Sequence, residues 1–390
     1  MSTLRIAIIG TGNMGQHHAL YIHQGKIPGA TLSAVCDIDP ARLEWAKKNL
    51  GENVARFATA DELLAAKAAD AVLIATPHYD HSPLAIQAMR AGLHVISEKP
   101  AGVHTRQVRE MNEEAARHPE LRFGMMFNQR TLQTHQKMRE LVASGELGEI
   151  TRVNYIKTDW YRTQSYYNSG GWRATWEGEG GGVLVNQCPH NLDLLQWICG
   201  MPTRVRAIGA FGKYHDIEVE DDVTATLEYE NGATGVFVTT TGEAPGTSRF
   251  EVIGDRGKLL LENDVLTFWR TRESVRENIR TNPKGFSIPE TWKCEIPANP
   301  SGADQHLKTT TAWVNWILRG TEPIARGEEG INNVELANAM ILSLWTKDWV
   351  NVPVDEQFFH DKLQEAIRNS RYKKTTVEEK EAPDMGKSFR

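Results

Sequence analysis

Short apolar stretches alternate with helical patterns along the first third of the chain. Strands are predicted over Leu4–Ile9, Thr31–Asp37, Asp70–Ala75, His94–Ser97 and Arg122–Phe127. Helices are predicted between them, among others over Pro40–Asn49, Pro83–Ala91 and Thr105–His118. Buried apolar strands joined by helices are typical of a parallel sheet that is covered on both faces.

The second half of the chain shows longer strands in which apolar and polar residues alternate. They are predicted over Ile150–Asp159, Arg204–Phe211, Val223–Tyr229, Thr234–Thr241, Arg249–Ile253, Lys258–Leu261 and Val265–Trp269, and helices over Leu132–Ser144, Asp304–Arg319 and Ile331–Trp349. This pattern indicates a large, mostly antiparallel, open sheet with one exposed face. We therefore predict an α/β protein with two domains, residues 1–127 and 128–390, and a polar arm from Arg371 onward.

Composition excludes several classes of function. The 390 residues carry a net charge of −6, which argues against nucleic acid as the main partner, because phosphate binding needs a clustered basic surface. The four cysteines show no C-x-x-C pair and no zinc-ligand spacing, so we expect reduced thiols and no metal. The chain has no apolar run long enough to span a bilayer and no signal-peptide pattern, so we expect a cytoplasmic protein with no membrane partner.

A glycine-rich turn with the sequence GTGNMG follows the first strand and opens a helix. In this position the pattern G-x-G-x-x-G is typical of a dinucleotide-binding domain. Gly10 permits a tight turn, Gly12 lets the backbone approach a pyrophosphate, and Gly15 allows close packing of helix on strand. Asn13 and Met14 begin the helix, whose free N–H groups and positive dipole end favour the cofactor phosphates.

Asp37 lies at the end of the second predicted strand, 22 positions after Gly15. A carboxylate there accepts hydrogen bonds from a ribose 2′-hydroxyl and repels a 2′-phosphate, so we predict NAD rather than NADP. Two features complicate this interpretation. Asp37 also fits the turn before Pro40, and Arg42 is close enough in sequence to accept a 2′-phosphate.

The segment Ala75–His81 follows the third predicted strand, at the carboxyl edge where open parallel sheets bind their ligands. Thr76 and Pro77 are predicted to border the nicotinamide ribose. His78 and His81 are assigned to the cofactor site as well. The alternative for these histidines is a solvated loop, or for His81 the start of a helix.

Two further segments carry candidate catalytic residues. Lys99 ends the fourth strand, and Pro100 restricts it to extended geometry, although a lysine in this position is by itself an ordinary surface residue. In the second half, a glycine loop beginning at Gly180 leads into a helix that starts near Pro189. His190 falls in the first turn of that helix, where the helix N-terminus favours a neutral imidazole that can take a proton.

Together these segments resemble the glucose–fructose oxidoreductase/inositol dehydrogenase (Gfo/Idh/MocA) family. The shared motifs are the first-turn glycines, the Ala-Thr-Pro strand end, Glu98-Lys99-Pro100, and the glycine loop with His190 and Asp193, in this order over nearly the whole chain. The resemblance implies a Rossmann domain followed by an α/β domain whose open sheet often mediates oligomer contacts. It also implies reversible, NAD(P)-dependent oxidation of a secondary hydroxyl on a sugar or cyclitol.

The resemblance assigns roles to single residues. Lys99 and His190 become the catalytic pair, and Glu98 approaches the nicotinamide side. We expect Lys99 to remove the hydroxyl proton, with His190 sharing or relaying it, and which of the two is the base stays open. The family often has Asp four residues before the histidine, where this chain has Asn186. A neutral amide can orient the substrate, but it cannot stabilise a protonated Lys or His as a carboxylate would. We also place Gln129, after the last strand of the first sheet, in the cofactor site.

The segment from residue 159 to 176 is unusually rich in aromatic residues and arginine. Trp160, Tyr166 and Trp172 offer flat apolar faces to a sugar ring. Arg162 and Arg173 supply forked donors for oxygen-rich or anionic groups. We predict that this segment forms the substrate wall. The alternative is an aromatic loop that packs on the sheet or at a subunit contact.

The sequence therefore predicts a homo-oligomeric (dimeric or tetrameric), NAD-dependent dehydrogenase that acts on a sugar, a glycoside or a cyclitol. Two alternatives stay open. The same residues would suit an NAD-dependent glycoside hydrolase that oxidises the sugar transiently and then eliminates the aglycone. A non-catalytic NAD-binding sensor or co-regulator is the other, but it would need neither Lys99 nor His190.

Overall fold

The computed structural model describes residues 3–299, 302 and 304–373. Its first sheet is parallel, with strand order β3-β2-β1-β4-β5-β6. The strands are β1 Leu4–Ile9, β2 Ala30–Cys36, β3 Ala55–Phe57, β4 Ala71–Ile74, β5 His94–Ser97 and β6 Phe123–Met125; the connecting helices are α1 Asn13–His23, α2 Pro40–Leu50, α3 Ala60–Ala65, α4 His78–Arg90 and α5 Thr105–Arg117. This is the strand order of a Rossmann domain, as predicted.

Apolar clusters cover both faces of this sheet because successive strand residues point to opposite sides. In β1, Ile6 and Ile8 pack into one cluster, and Ala7 and Ile9 pack into the other. Trp313, which lies nearly 190 residues beyond the sheet, fills the first of these clusters. The N-terminal core is therefore completed by a helix from the C-terminal part of the chain.

Helix α4 begins at His78, earlier than the start predicted at Pro83. Proline has no N–H, so the main-chain carbonyl of Tyr79 loses its helical donor. The side chain of Gln107 donates to that carbonyl at 2.6 Å and replaces the missing bond. The helix therefore runs through Pro83, and both His78 and His81 lie on it rather than in a loop.

The second sheet has nine strands in the order β14-β13-β12-β11-β7-β10-β9-β8-β15. They are β7 Ile150–Lys157, β8 Arg204–Phe211, β9 Glu220–Glu228, β10 Thr234–Thr240, β11 Ser248–Gly254, β12 Gly257–Glu262, β13 Val265–Thr271, β14 Thr291–Glu295 and β15 Val350–Asn351. Only β7 and β10 pair in parallel among these strands. The predicted mostly antiparallel sheet is confirmed, and the short edge strands β14 and β15 were not predicted.

One face of this sheet packs on helices. The remaining helices are α6 Gln133–Ala143, α7 Gln164–Asn168, α8 Pro189–Cys199, α9 Val275–Thr281, α10 Gln305–Arg319, α11 Gly330–Thr346 and α12 Glu356–Asn369. Leu192 of α8 and Leu336 of α11 are buried in its core, whereas Ile208 of β8 is 72% exposed. The exposed sheet face is the feature on which the predicted homo-oligomer depends, and the oligomer itself stays a prediction. Beyond residue 373 the predicted polar arm lies outside the described residues, and no helix within them is long and apolar enough to cross a membrane.

Candidate active site

The glycine turn after β1 has the shape that a dinucleotide needs. Gly10 adopts a positive φ of 89°, and a Cβ there would lie 2.8 Å from the main chain of Ala75. A Cβ on Gly15 would lie 1.8 Å from the carbonyl oxygen of Gly10, whereas one on Gly12 would meet nothing within 4 Å. Gly10 and Gly15 are thus required by packing, and Gly12 leaves room for a pyrophosphate. Asn13 opens helix α1 at this point, followed by Met14.

Asp37 connects the end of β2 to the glycine turn. Its Oδ2 accepts hydrogen bonds from the main-chain N–H of Thr11 at 2.6 Å and from its hydroxyl at 2.9 Å, and its Oδ1 accepts from the N–H of Asp39 at 2.9 Å. Asp37 therefore serves the local turn, as one interpretation of the sequence held. A carboxylate has about four acceptor positions, so Asp37 retains capacity for a ribose hydroxyl. Arg42 is directed at Asp39, with Nε 4.0 Å from Oδ2.

The end of β4 supplies a further polar group for a cofactor. The hydroxyl of Thr76 is buried and has no hydrogen-bond partner among the described residues, so it is available to bind a ligand. Pro77 follows as the N-cap of α4. His81 is buried, and its two ring nitrogens lie 2.6 Å and 2.8 Å from the carbonyl oxygens of Pro100 and Thr76. Both nitrogens therefore connect the loops at Pro100 and Thr76, and the contact of His81 with the cofactor stays a prediction.

His78 and Gln129 occupy different positions around the site. His78 is buried against the second half of the chain, with Nδ1 3.1 Å from the carbonyl oxygen of Glu179 and its ring 4.9 Å from that of Trp172. These contacts link His78 to the second half of the chain, and its contact with the cofactor stays a prediction. Gln129 follows β6 in a short turn, and its main-chain oxygen lies 3.0 Å from Nδ1 of His135. Its contact with the cofactor stays a prediction.

Lys99 and His190 meet where the two halves of the chain join. The Nζ of Lys99 donates a hydrogen bond of 3.0 Å to the main-chain oxygen of Asn186, which lies shortly before helix α8. His190 is buried in the first turn of α8, and its Nδ1 has no hydrogen-bond partner within the described part of the chain. A buried imidazole nitrogen without a partner is a candidate contact for a substrate hydroxyl.

The electrostatics of this pair favour neutral forms. Burial, and after it the charge of Lys99, holds the pKa of His190 well below its usual range. Burial also lowers the pKa of Lys99, and the nearby carboxylate of Glu98 opposes this effect. The neutral His190 agrees with the prediction, but burial rather than the helix N-terminus is the main cause.

Glu98 lies behind Lys99 and is anchored by a residue that sequence analysis missed. Its Oε1 lies 2.7 Å from Nε2 of His18 in helix α1, and its Oε2 accepts the main-chain N–H of Lys99 at 3.2 Å. Burial would raise the pKa of Glu98, but the hydrogen bond to His18 and neighbouring positive charges outweigh burial and hold it well below its usual range. The only sequence signal for His18 was its position in the helix that follows Gly15.

The predicted substrate wall divides into a buried base and an outer layer. Trp160 is buried in the core, and its indole N–H donates to Oδ1 of Asn191 at 2.9 Å; its contact with the substrate stays a prediction. Arg162 lies over the rings of Trp160 and Tyr166, with 5.5 Å and 5.2 Å from its guanidinium carbon to the ring centres. Trp160 is therefore a support for Arg162.

The outer layer is a stack of partly buried side chains. The guanidinium of Arg173 lies 4.6 Å from the ring centre of Tyr166 and 4.5 Å from that of Trp172, and it donates to the Tyr166 hydroxyl at 2.8 Å. The side-chain amide of Gln187 donates to the same hydroxyl at 3.0 Å, which leaves the Tyr166 O–H to act as a donor. Burial is the main cause of the lowered pKa of Lys99, and the charges of Arg173 and Arg162 add to it, so these two arginines of the wall lie near Lys99.

Two family profiles match the two halves of the chain. The profile described as "Oxidoreductase family, NAD-binding Rossmann fold" matches residues 4–125, and the "GFO/IDH/MocA C-terminal domain" profile matches residues 135–260. The chain belongs to the Gfo/Idh/MocA oxidoreductase family. Membership confirms the resemblance, the oxidoreductase class and the NAD-binding domain that the glycine turn predicted. No group of metal-binding side chains occurs within the described ranges.

Two inositol dehydrogenases and one solved dehydrogenase structure are similar to this chain. The inositol 2-dehydrogenase of Corynebacterium glutamicum (strain R) is 26% identical over 239 residues, which cover 59% of this chain and 65% of that enzyme. The myo-inositol 2-dehydrogenase of Thermotoga maritima is 28% identical over 344 residues, with 84% and 92% covered. The crystal structure of the WlbA dehydrogenase from Bordetella pertussis, in complex with NADH and UDP-GlcNAcA, is 26% identical and has a TM-score of 0.76, with 90% of this chain and 100% of that chain covered.

Proposed function

We propose that this Gfo/Idh/MocA protein is an NAD-dependent dehydrogenase that oxidises a secondary hydroxyl of a sugar, a glycoside or a cyclitol. The observation that carries the proposal is the approach of Lys99 and His190 from the two halves of the chain. The Lys99 amine is fixed by Asn186, and a buried nitrogen of His190 has no partner within the described residues. The glycine turn at Gly12 fits NAD, as does the Thr76 hydroxyl, which has no partner in the described part of the chain.

Oxidation of a carbinol removes one hydride and one proton. When bound, NAD supplies the acceptor for the hydride. Lys99 takes the proton, because its lowered pKa increases the fraction of neutral amine near pH 7. The hydrogen bond to the Asn186 carbonyl uses one N–H of the amine and so orients the nitrogen lone pair. Neutral His190 hydrogen-bonds to the same hydroxyl and shares its proton.

The outer layer of the wall supports a ring polyol as the substrate class. Tyr166 and Trp172 present flat apolar surfaces to the C–H groups of a ring, and Arg162 and Arg173 present donors to its oxygens. The relatives named above as inositol dehydrogenases act on a cyclitol of this kind. The neighbouring WlbA structure, which contains UDP-GlcNAcA, adds a sugar that carries a carboxylate to the candidates.

The test is a panel of inositols, sugars, aryl glycosides and sugar acids incubated with NAD, with NADH absorbance and aglycone release measured in parallel. We expect stoichiometric NADH from at least one member and no aglycone release. Aglycone release with only catalytic amounts of NAD and no net NADH would assign the protein to the glycoside-hydrolase alternative. NAD binding without turnover of any member would contradict the proposal.

A further inference from the structure

Glu179 is a fully buried carboxylate directly before the glycine loop. Its Oε2 accepts the main-chain N–H of Ala174 at 2.6 Å, and its Oε1 accepts the side-chain amide N–H of Asn186. Its main-chain oxygen contacts His78 at 3.1 Å. Glu179 therefore contacts Asn186, and the main-chain oxygen of Asn186 accepts the hydrogen bond from the Lys99 amine.

The contact fixes the orientation of the Asn186 amide. Carboxylate oxygens only accept hydrogen bonds, so the amide nitrogen of Asn186 must face Glu179 and its side-chain oxygen must point elsewhere. The same residue carries the main-chain oxygen that accepts from Lys99. Any movement of Asn186 therefore changes the position of the proposed base.

The pair also determines where negative charge lies relative to Lys99. Burial is the main cause of the raised pKa of the Glu220 carboxyl, and the negative charge of nearby Glu179 adds to it. The negative charge therefore lies on Glu179, one side chain farther from Lys99 than the side chain at position 186. An aspartate at position 186 would bring that charge next to Lys99 and favour its protonated form.

We propose that Glu179 is a positioning residue of the active site, which orients Asn186 and keeps the negative charge of the pair one side chain away from Lys99. It acts through Asn186 and has no assigned contact with substrate or cofactor. Only the catalytic part of its test rests on the proposed dehydrogenase function. The titratable and charged groups that face Lys99, or share its surroundings, are Glu98, Cys188, Arg162, Arg173, His78, His190 and His306. None of them changes in the variants below.

The first variant is Glu179→Gln, which keeps the shape but offers one acceptor oxygen to the two donors of Ala174 and Asn186. One of these two donors then faces the N–H₂ group of the introduced amide and has no acceptor there. We expect kcat to fall roughly 10- to 100-fold, as for a buried unsatisfied donor, with unchanged NAD affinity. Glu220→Gln is the matched control, because Glu220 anchors the same loop through the N–H groups of Gly182 and Leu184 and does not touch Asn186. It should keep kcat.

The second variant combines Glu179→Gln with Asn186→Asp. It exchanges the carboxylate and the amide between positions 179 and 186. The new amide oxygen can still accept from Ala174, and its nitrogen can donate to the new carboxylate, so these two hydrogen bonds are restored while the charge moves to position 186. We expect kcat to return to within about threefold of the parent at alkaline pH, far above the Glu179→Gln value. If the double variant instead loses activity at least as severely as Glu179→Gln, the positioning role is refuted.

A measurement without substrate separates this proposal from the dehydrogenase proposal. The pKa of Lys99 is obtained from the pH dependence of its acetylation by acetic anhydride, followed by mass spectrometry. We expect the double variant to titrate higher than the parent by roughly one pH unit, and Glu179→Gln not to exceed the parent. Identical titration in all three proteins would overturn the proposal. The expected order in a protein that turns over none of the panel would support Glu179 and contradict only the dehydrogenase activity.

Discussion

The amine of Lys99 lies 3.0 Å from the main-chain oxygen of Asn186 and joins the edge of the Rossmann sheet to the glycine loop of the second half. Neither half contains the proposed proton-transfer pair by itself, because His190 follows Asn186 at the start of α8. Catalysis therefore depends on how the halves are held together. The first prediction concerns this junction.

Arg130 anchors helix α8, which carries His190 to this junction, through a buried ion network within the second half of the chain. It donates to both carboxylate oxygens of Asp193 at 2.6 Å and 2.8 Å and to Glu329 at 2.6 Å. We expect Arg130→Met to lower the free energy of unfolding by about 3–5 kcal/mol in urea titrations, because it leaves Asp193 buried without its partner. Arg130→Met combined with Asp193→Leu should lose less than the single variant. A loss below ~1 kcal/mol for Arg130→Met would contradict this role.

The pH profile of the proposed oxidation should have a single limb that is assigned to Lys99. Activity needs the neutral amine, so kcat/KM for oxidation should rise with pH, with a midpoint below the usual lysine pKa of about 10.4, because burial lowers this pKa. The reverse reduction needs the ammonium and should fall with pH. No limb should appear near pH ~6.5, because the pKa of His190 lies well below that value. An essential group that titrates at pH ~6.5 in the free enzyme would contradict the assignment of His190.

Glu220 should make stability depend on pH in an unusual direction. Burial raises its pKa from 4.5 to about 7 in the folded protein. The folded state then binds the proton more tightly, so this contribution is complete below pH ~4.5 and is lost as the pH rises through ~7. We expect the parent to lose on the order of 3 kcal/mol across this window relative to Glu220→Gln, from denaturant titrations at several pH values. A difference between the two proteins that does not vary with pH would contradict the raised pKa.

Cofactor preference should follow Asp37. The carboxylate anchors Thr11 of the glycine turn and lies next to Ile38, which is 88% exposed. We expect the parent to bind NAD at least roughly tenfold more tightly than NADP in calorimetry. Asp37→Ser with Ile38→Arg should reverse that order, and Ile38→Arg alone serves as the control for added charge. Equal binding of both cofactors by the parent would remove the basis for this preference.

Sequence alone predicted the features that depend on local chemistry. The turn glycines and the helix start at Pro189 need only neighbouring residues, and the structure has them where they were expected. The contact of His18 with Glu98 joins residues that are 80 positions apart, and no local pattern reports it. The early start of α4 likewise depends on Gln107, which comes from a different helix.

The predicted substrate wall also shows what the sequence could not predict, namely which of its aromatic side chains are buried. Trp160 and Trp172 look alike in the sequence, yet one is buried beneath Arg162 and the other is partly exposed against Arg173. Which aromatic face is free depends on how the loop packs on the sheet. The burial of each aromatic residue in this segment could therefore not be predicted from the sequence alone.

The central claim is that Lys99 and His190 act as one proton-transfer unit. The direct measurement is a double-mutant cycle of Lys99→Ala and His190→Ala, with kcat on the best panel substrate and NAD affinity determined for each protein. Each single variant should lose roughly 10²- to 10⁴-fold in kcat with unchanged NAD affinity, and the double variant should lose far less than the product of the two losses. Near-normal turnover by Lys99→Ala, or losses that multiply fully in the double variant, would contradict the account.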